Sequence, residues 1–390
     1  MATRILMYSS GLTLGHLRRS HIIAREVLAR EPECSILNMV DAAETPFFDR
    51  LSGLGHLKLP TTRLGSDFIW RAATLNLSPE DISDLRSEII LEAFREFQPD
   101  TVLVDLRPVG VLGELKPLLD QAIQLPQPPK LFLGIRGIDQ DPKQTNTQWH
   151  TDGAYDYLGH YDAILIYDRP EIYNTGLAYN LIPHARQVIY CNYVASPPEC
   201  TPLEDTGEAP MILVMGGSGH DVFPMEQAFA EALPLLTEAL PLHSVIITGP
   251  GMSTQDHDRI VEQAAPYPVR VHRSVADITK LMQRAAAVLT MGGYNSLCEI
   301  LQLRKKALVV PKTRTTGALD EQEIRTKIFA ELGLVRSLHP TELSPTRLAQ
   351  ELLHLIQADD IPNVANIPPM DGAQQVAQLL LGHDNSPSIA

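Results

Sequence analysis

The sequence contains few cysteines, and their spacing excludes two common kinds of scaffold. It has four cysteines in 390 residues, at positions 34, 191, 200 and 298. No two of them form a CxxC pair or the spacing of a zinc site, so neither a disulfide framework nor a structural zinc is expected. This usage is typical of a reducing compartment, and we expect a cytoplasmic protein.

Long apolar runs are also missing. No window reaches the roughly 18 consecutive apolar residues that a membrane span requires. The N-terminal stretch MATRILMYSS has too short an apolar part for a signal peptide and lacks a small-residue cleavage site, so we interpret it as a first strand. The sequence therefore predicts no transmembrane segment, while peripheral contact with a membrane stays open.

Basic residues are outnumbered by acidic ones. The chain carries 32 lysines and arginines against 47 aspartates and glutamates, which gives a formal net charge of −15 at pH 7. Binding to a nucleic-acid backbone depends on clustered cations, and the two basic clusters, Arg18-Arg19 and Arg304 to Lys306, are short. We therefore expect no nucleic-acid partner.

The sequence does contain a regular alternation of short apolar runs and amphipathic stretches. Runs such as TVLVDL and MILVMGG are typical of buried parallel strands, and segments such as EIILEAFREF have helical periodicity. A length of 390 residues favours two domains over one. The pattern predicts an α/β fold with two Rossmann-like, doubly wound domains that face a central cleft.

The domain boundaries follow from one stretch without apolar periodicity. Residues 196–210, SPPECTPLEDTGEAP, are rich in proline and acidic residues. We predict a first domain over 1–197, a linker over 198–209 and a second domain over 210–368. The helical pattern AQQVAQLLLG lies in the final segment, 369–390, which we expect to cross back toward the first domain and to end in a polar tail.

The most informative motif is AVLTMGGYNSLCEIL. An apolar strand ends at Gly292-Gly293 and leads into a helix that we predict to begin near Asn295 or Ser296. The unpaired N–H groups and positive dipole end of such a helix bind anions, so a phosphate would fit there. Glu299 lies about one turn further on, where a carboxylate suits a sugar hydroxyl. The motif indicates a nucleotide-sugar pocket.

A second glycine-containing loop, SSGLTLGHLRRS, follows the first strand and precedes a helix. Gly11 and Gly15 allow a tight turn, and a helix that starts near Gly15 directs N–H groups at the same edge of the sheet. His16 is a candidate general base or a ligand of a phosphate or sugar oxygen, and Arg18 follows it closely. The alternative is that His16 only forms hydrogen bonds within the loop.

The loop MGGSGHD after the strand MILVM has the composition of a phosphate cradle. Backbone amides of Gly217 and Gly219 and the hydroxyl of Ser218 would surround the anion. No Gly-Lys-Ser/Thr follows, which excludes a Walker-type ATPase. The alternative is a tight turn that needs glycine for its backbone geometry alone.

Three other features carry weaker signals. Arg273 stands at a strand end, where it either edges a base or faces solvent, and Gln322 is placed to reach a sugar hydroxyl. The tripeptide Asp139-Gln140-Asp141 matches the DxD metal motif of some sugar transferases. Such tripeptides are frequent by chance, and we interpret DQDPKQTNTQ as a polar loop and predict no metal site.

Taken in order, the motifs GLTLGHLRR, MGGSGH, MGGYNSLCEIL, VVP and EQEIR resemble those of the two-domain GT-B glycosyltransferases. The closest likeness is to the MurG-type N-acetylglucosaminyltransferases and related bacterial glycosyltransferases, over residues 211–334 above all. The resemblance implies a hexosyltransferase whose donor is a nucleotide-diphosphate sugar, with UDP favoured, and no cofactor because the sugar nucleotide is a substrate. The acceptor would be a small molecule, a glycan or a lipid-linked hydroxyl.

The resemblance also implies residue roles in the donor site. His16 would lie near the acceptor or the donor phosphates. The donor residues would be Gly217 and Ser218 at the diphosphate, Gly292, Gly293, Asn295 and Ser296 at phosphate, Glu299 at the ribose hydroxyls and Gln322 at the donor sugar.

The implied mechanism is inverting transfer without an obligatory metal. Helix N-termini would stabilise the leaving diphosphate, and a side chain would deprotonate the acceptor hydroxyl. His16 and Asp105 are the candidate bases; for Asp105, which ends the strand TVLVDL, the alternative is an ion pair with Arg107 or a loop cap. Two other functions stay open on this scaffold: a nucleotide-sugar hydrolase in which His16 activates water, and a regulator that binds nucleotide sugar without catalysis.

Overall fold

The structure of the protein is a computed structural model that describes residues 2–9, 14–41, 50–65, 69–196, 209–219, 221–275, 277–313 and 320–383. Gly11 and nearly all of the predicted linker and polar tail lie outside these residues. The chain divides into two compact units, Met1–Ala195 with Pro369–Ala390, and Ser196–Pro368. Among the described residues, no helix is both long and apolar enough to cross a membrane.

The first unit is built on a parallel sheet whose central strands are fully buried. Every residue of the strands Thr101–Asp105 and Ala163–Tyr167 is buried, which explains their almost unbroken apolar sequence. The described strands of this unit are β1 Arg4–Ser9, β2 Ser35–Val40, β3 Leu54–Lys58, β4 Thr62–Leu64, β5 Trp70–Ala72, β6 Thr101–Asp105, β7 Lys130–Arg136, β8 Ala163–Tyr167 and β9 Val188–Tyr190. The sheet order is β3-β2-β1-β6-β7-β8-β9 with every pair parallel, and β4 and β5 form a separate antiparallel pair.

Helices connect these strands and begin at local sequence signals. Before the helix Pro79–Phe97, Ser78 accepts a hydrogen bond from the N–H of Asp81, whose carboxylate accepts one from the N–H of Ser78. Pro79 occupies the first helical position, where a missing N–H costs nothing. The described helices in this part of the chain are α1 Leu14–Arg30, α2 Pro79–Phe97, α3 Lys116–Ala122, α4 Pro142–Thr151, α5 Ala154–Leu158 and α6 Thr175–Ala178.

The strand order of the first sheet reverses between β1 and β6. From β1 the chain moves outward through β2 to β3, then returns to β6 on the other side of β1 and moves outward through β7 to β9. The carboxyl ends of β1 and β6 therefore flank a switch point, which is where open α/β sheets bind ligands. His16 follows β1 and Asp105 ends β6, so the topology brings the two candidate bases to one place.

The second unit repeats this plan with a smaller parallel sheet. Its described strands are β10 Met211–Met215, β11 His243–Ile247, β12 Val269–His272, β13 Ala285–Thr290, β14 Ala307–Val309 and β15 Arg336–Ser337, in the order β12-β11-β10-β13-β14-β15. Its described helices are α7 Phe223–Ala239, α8 Thr254–Ala264, α9 Ile278–Arg284, α10 Tyr294–Gln302, α11 Glu321–Glu331 and α12 Pro345–Gln357, with 3₁₀ turns at Pro340–Glu342 and Val364–Asn366. Met215 at the end of β10 pairs with Thr290 at the end of β13. The MGGSGH and MGGYNS loops therefore leave the sheet side by side, at its switch point.

The last helix, α13 (Gly372–Leu380), belongs to the first unit and packs against α1. Thr101 donates a hydrogen bond from its Oγ1 to the carbonyl of Leu380 at 3.0 Å. The helix starts at a glycine because a Cβ on Gly372 would lie 2.6 Å from the carbonyl oxygen of Asn192. The first unit is thus made of two separate stretches of the chain.

Candidate active site

His16 and Asp105 are in direct contact at the switch point of the first unit. His16 is the third residue of α1, and its Nδ1 lies 2.6 Å from Oδ2 of Asp105. The two residues are 8% and 2% exposed. The sequence offered them as alternative bases, whereas in the structure they form a single buried pair.

Arg19, one turn further along α1, binds the same carboxylate. Its Nη2 lies 2.7 Å from each oxygen of Asp105, and its Nε lies 3.0 Å from Oδ1. The sequence suggested Arg107 as the ion-pair partner of Asp105, but the partner is Arg19. The reason is that His16 and Arg19 are three residues apart and share one face of the helix.

Burial and these neighbours set the protonation of the pair. Burial alone would raise the pKa of Asp105, but Arg19 and His16 outweigh it and hold the pKa at about 2, so the carboxyl is ionised. Burial lowers the pKa of His16 and the carboxylate opposes this only in part, which favours a neutral imidazole. We assign the proton to Nδ1 because its partner at 2.6 Å is an ionised carboxylate. Nε2 then carries the lone pair with which a histidine accepts a proton.

The remaining predicted residues of this loop lie on the first turns of α1. Gly15 is the second residue of the helix and Arg18 stands one turn later, and both are half-buried. Gly11 is outside the described residues.

The MGGSGH loop of the second unit uses its glycines in two ways. Gly219 has a φ of +94°, and a Cβ there would lie 2.6 Å from the carbonyl oxygen of Thr248. The carbonyl of Ser218 accepts a hydrogen bond from the N–H of Gly251 at 2.8 Å. The MGGSGH loop and the loop that follows β11 therefore pack backbone to backbone. Gly217, with a φ of +75°, has nothing within 4 Å of a Cβ position. Gly219 therefore serves packing, and Gly217 is where a ligand can approach the loop.

The MGGYNS turn presents the start of a helix. α10 begins at Tyr294, slightly earlier than predicted, and its N-cap, Gly293, provides no side chain to cap it. Asn295 and Ser296 lie in the first turn and are half-buried. Glu299 is 6% exposed and follows Asn295 by four residues, so the two share a face of the helix. The start of α10 is thus suited to an anion, and the carboxylate of Glu299 lies one turn further along the helix.

Gly292 and Gly293 form a matched pair for testing this turn. Gly292 has a φ of +83°, and a Cβ there would lie 2.8 Å from Val309 and 2.9 Å from Thr326, whereas a Cβ on Gly293 meets nothing within 4 Å. We expect Gly292→Ala to lower the free energy of unfolding by about 1–3 kcal/mol through overpacking and backbone strain. Gly293→Ala should leave it nearly unchanged. Urea unfolding measures both, and equal stabilities would contradict the conformation of the turn.

Gln322 and Arg273 each hold a neighbouring loop. Oε1 of Gln322 accepts a hydrogen bond from the N–H of Lys312 at 3.1 Å, and Nη1 of Arg273 donates to the carbonyl of Met252 at 3.0 Å. The groups of Gln322 suited to a sugar hydroxyl are therefore its Nε2 donors. Through this hydrogen bond Arg273 stabilises the loop that follows β11.

Arg325 belongs to this site but was not singled out from the sequence. It is 2% exposed, donates from Nη1 to the carbonyl of Gly292 at 3.1 Å and pairs with Glu321 at 3.3 Å. Its guanidinium also stands over the ring of Tyr294, 5.7 Å from the centroid. Arg325 thus fixes the glycine turn and the first residue of α10. The available signal was an arginine four residues after a glutamate in EQEIR.

The acids of the DQD tripeptide serve local structure. Asp139 pairs with Arg136 at 2.7 Å, and Asp141 caps α4 by accepting from the N–H of Lys143 at 2.9 Å. The segment interpreted as a polar loop is therefore helical from Pro142 onward. In the described part of the chain, no cluster of three or more potential metal-binding side chains occurs.

Sequence comparison relates the second unit to a family of glycosyltransferases. Residues 211–376 match the family described as glycosyltransferase family 28 C-terminal domain. A relative from Synechococcus elongatus, named UDP-N-acetylglucosamine–N-acetylmuramyl-(pentapeptide) pyrophosphoryl-undecaprenol N-acetylglucosamine transferase, is 31% identical over 183 residues. The alignment covers 44% of this chain and 48% of that relative, so the chain matches about half the length of its curated relatives.

Solved structures extend the likeness to both units. The glycotransferase of kitacinnamycin has a TM-score of 0.66 at 16% identity, over 99% of this chain and 100% of that one. MurG from Acinetobacter baumannii has a TM-score of 0.61 at 15% identity, over 97% and 99% of the two chains. At such identities the likeness concerns the fold. The chain therefore has the GT-B fold and resembles the MurG-type glycosyltransferases, with a match to the family 28 C-terminal domain over residues 211–376.

Proposed function

We propose that the protein is a glycosyltransferase that moves a sugar from a UDP-sugar donor to an acceptor hydroxyl. One observation carries the proposal: the candidate donor loops lie side by side at the switch point of the unit that matches the family 28 domain. The name of the Synechococcus relative includes UDP-N-acetylglucosamine, which supports UDP and an N-acetylated hexose as the donor.

The donor diphosphate binds at the start of α10 and at the exposed backbone of Gly217. Gly293, the N-cap of α10, has no side chain that could cap the helix, and the start of a helix suits an anion. Glu299 accepts hydrogen bonds from the ribose hydroxyls, and Gln322 donates to the donor sugar. The positive end of α10 stabilises the charge that grows on the diphosphate as its bond to the sugar breaks, and such preorganised stabilisation is usually the largest catalytic contribution.

The acceptor is deprotonated by His16. Its Nε2 takes the hydroxyl proton while the hydroxyl oxygen attacks the anomeric carbon and the diphosphate leaves from the opposite face, which inverts the configuration. Asp105 holds Nδ1–H and stabilises the imidazolium that forms. The helix end and backbone donors meet the leaving charge in place of a metal, and full activity in EDTA is the expected result.

Nucleotide binding tests the donor site. UDP at 100 times its Kd should add about 2.7 kcal/mol to the free energy of unfolding, measured as a thermal shift. GDP and TDP at the same concentration should give smaller shifts. Glu299→Ala should weaken UDP binding about tenfold or more, because a charged hydrogen bond is lost. Glu331→Ala, which removes an exposed carboxylate on α11, is the matched control. If calorimetry detects no nucleotide binding to the unmodified protein, the proposal is wrong.

Product analysis separates transfer from hydrolysis, since a base at Nε2 of His16 would serve water as well as an acceptor. With UDP-N-acetylglucosamine as the donor, transfer requires an added acceptor for UDP release. The name of the Synechococcus relative includes pyrophosphoryl-undecaprenol, so a lipid-linked hydroxyl is the first acceptor to test. Release of free N-acetylglucosamine without any acceptor would identify a hydrolase.

A further inference from the structure

The buried pair of His16 and Asp105 has a third member, Arg19, that the proposed reaction does not use. Arg19 is 1% exposed and holds both oxygens of the Asp105 carboxylate through Nη2, each at 2.7 Å. The same Nη2 lies 3.1 Å from Nδ1 of His16. The three side chains therefore form one closed group in which the arginine and the histidine share a single carboxylate.

We propose that Arg19 is a positioning residue that fixes the Asp105 carboxylate against Nδ1 of His16 and keeps the imidazole in its neutral form. A carboxylate beside a histidine alone favours the imidazolium, which cannot act as a base. With Arg19 present, the group is neutral when His16 is neutral, and a proton on His16 would leave a net positive charge in a buried place. The inference rests on the proposed role of His16 as the base.

Other charged and titratable groups around His16 act in the same balance. Burial is the largest cause that lowers the pKa of His16, and the positive charges of Arg19 and of Arg136, at the end of β7, lower it further. Asp105 raises this pKa. Arg136 is paired with Asp139 at 2.7 Å, which lowers its net effect. The guanidinium of Arg19 stands 5.6 Å from the ring centroid of Tyr167, at the end of β8. Arg19 contacts both members of the pair directly, through the same Nη2.

Two substitutions separate the charge of Arg19 from its geometry. Arg19→Gln removes the positive charge and keeps a hydrogen-bond donor for Asp105. Arg19→Lys keeps the charge and loses the guanidinium's contacts with both oxygens of the Asp105 carboxylate. We expect Arg19→Gln to raise the pKa of His16 by about 1 pH unit or more. The acidic limb of the pH profile of kcat/KM should move to higher pH by the same amount. Arg19→Lys should leave the profile in place and lower kcat, because Asp105 is no longer held in one orientation.

The measurement is an NMR titration of histidine-labelled protein, with the His16 resonance assigned by its absence from the His16→Gln variant. A purely structural arginine would change stability and leave both the titration and the profile where they are, which would overturn the inference. If Arg19→Gln does not fold, Arg19→Lys carries the test, and an unchanged kcat there would also overturn it. If the titration moves and the acid limb of the activity does not, Arg19 tunes His16 as inferred but His16 is not the base, so the proposed function fails separately.

Discussion

The His16→Gln variant should transfer sugar about 10² to 10⁴ times more slowly than the unmodified protein, which is the contribution that a positioned base typically makes. Glutamine fills a similar space but cannot accept a proton from the acceptor hydroxyl. Asp105→Asn should also be slow, because an amide does not hold the Nδ1–H tautomer. Since the pair acts as a unit, the double variant should be little slower than the slower single one. UDP release at saturating donor and acceptor measures all three.

The control for this prediction is UDP affinity, which reports on residues of the second unit. His16→Gln should bind UDP as tightly as the unmodified protein while its turnover falls. A parallel loss of affinity and turnover would instead indicate that His16 binds a phosphate or sugar oxygen, the alternative that its loop sequence left open. An unchanged kcat would exclude His16 as the base.

Glu226 should make the protein less stable as the pH rises. It stands in the first turn of α7, is 0% exposed, and neither of its carboxyl oxygens has a hydrogen-bond partner in the described structure. Phe229 and Leu233, three and seven residues further along the same helix, are also fully buried. This apolar burial raises the pKa of Glu226 from 4.5 to about 9, so the folded protein keeps the acid protonated at neutral pH.

The sign of the effect follows from the two pKa values of Glu226. Below pH 4.5 the carboxyl is protonated in both the folded and the unfolded chain, and it contributes no pH dependence. Between pH 4.5 and about 9 only the unfolded chain ionises, so each pH unit lowers the free energy of unfolding by about 1.4 kcal/mol. At pH 7 the accumulated destabilisation is about 3 kcal/mol.

Glu226→Gln and Glu226→Leu should remove this slope. Both variants should be more stable than the unmodified protein at pH 8, and leucine more so than glutamine, because it leaves no unpaired polar atom in the core. Glu238→Gln, which removes an exposed carboxylate from the same helix, controls for the change in net charge. Urea unfolding between pH 5 and 8 is the measurement. A Glu226→Gln protein that keeps the native slope would show that another group titrates.

Features with local sequence signals were predictable. The apolar runs that end in glycine marked the carboxyl ends of β10 and β13, and these loops lie at the switch point of the second sheet. The predicted start of α10 is slightly late because its cap, Gly293, lacks the side chain that marks a helix start. For α4 the signal was present, since Asp141 precedes Pro142, but a polar helix without apolar periodicity resembles a loop.

Contacts between distant parts of the chain were not predictable in the same way. Arg19 and Asp105 are separated by 86 residues, and Arg325 and Gly292 by 33. Spacing along the chain does not determine which arginine reaches a buried carboxylate or carbonyl; the order of strands in the sheet does. For that reason the sequence indicated His16 and Asp105 individually, but neither their pairing nor the arginine that binds one of them.

The docking of α13 on α1 has a consequence for the order in which the protein is made. A ribosome releases the strands of the first unit early, yet the helix that completes this unit is synthesised only after the whole of the second unit. The second unit is one continuous stretch, so it is free to close while the first still lacks its final piece. The first unit is therefore begun before the second unit and completed after it. Until the residues from Gly372 onward are synthesised, the face of α1 that α13 covers stays exposed.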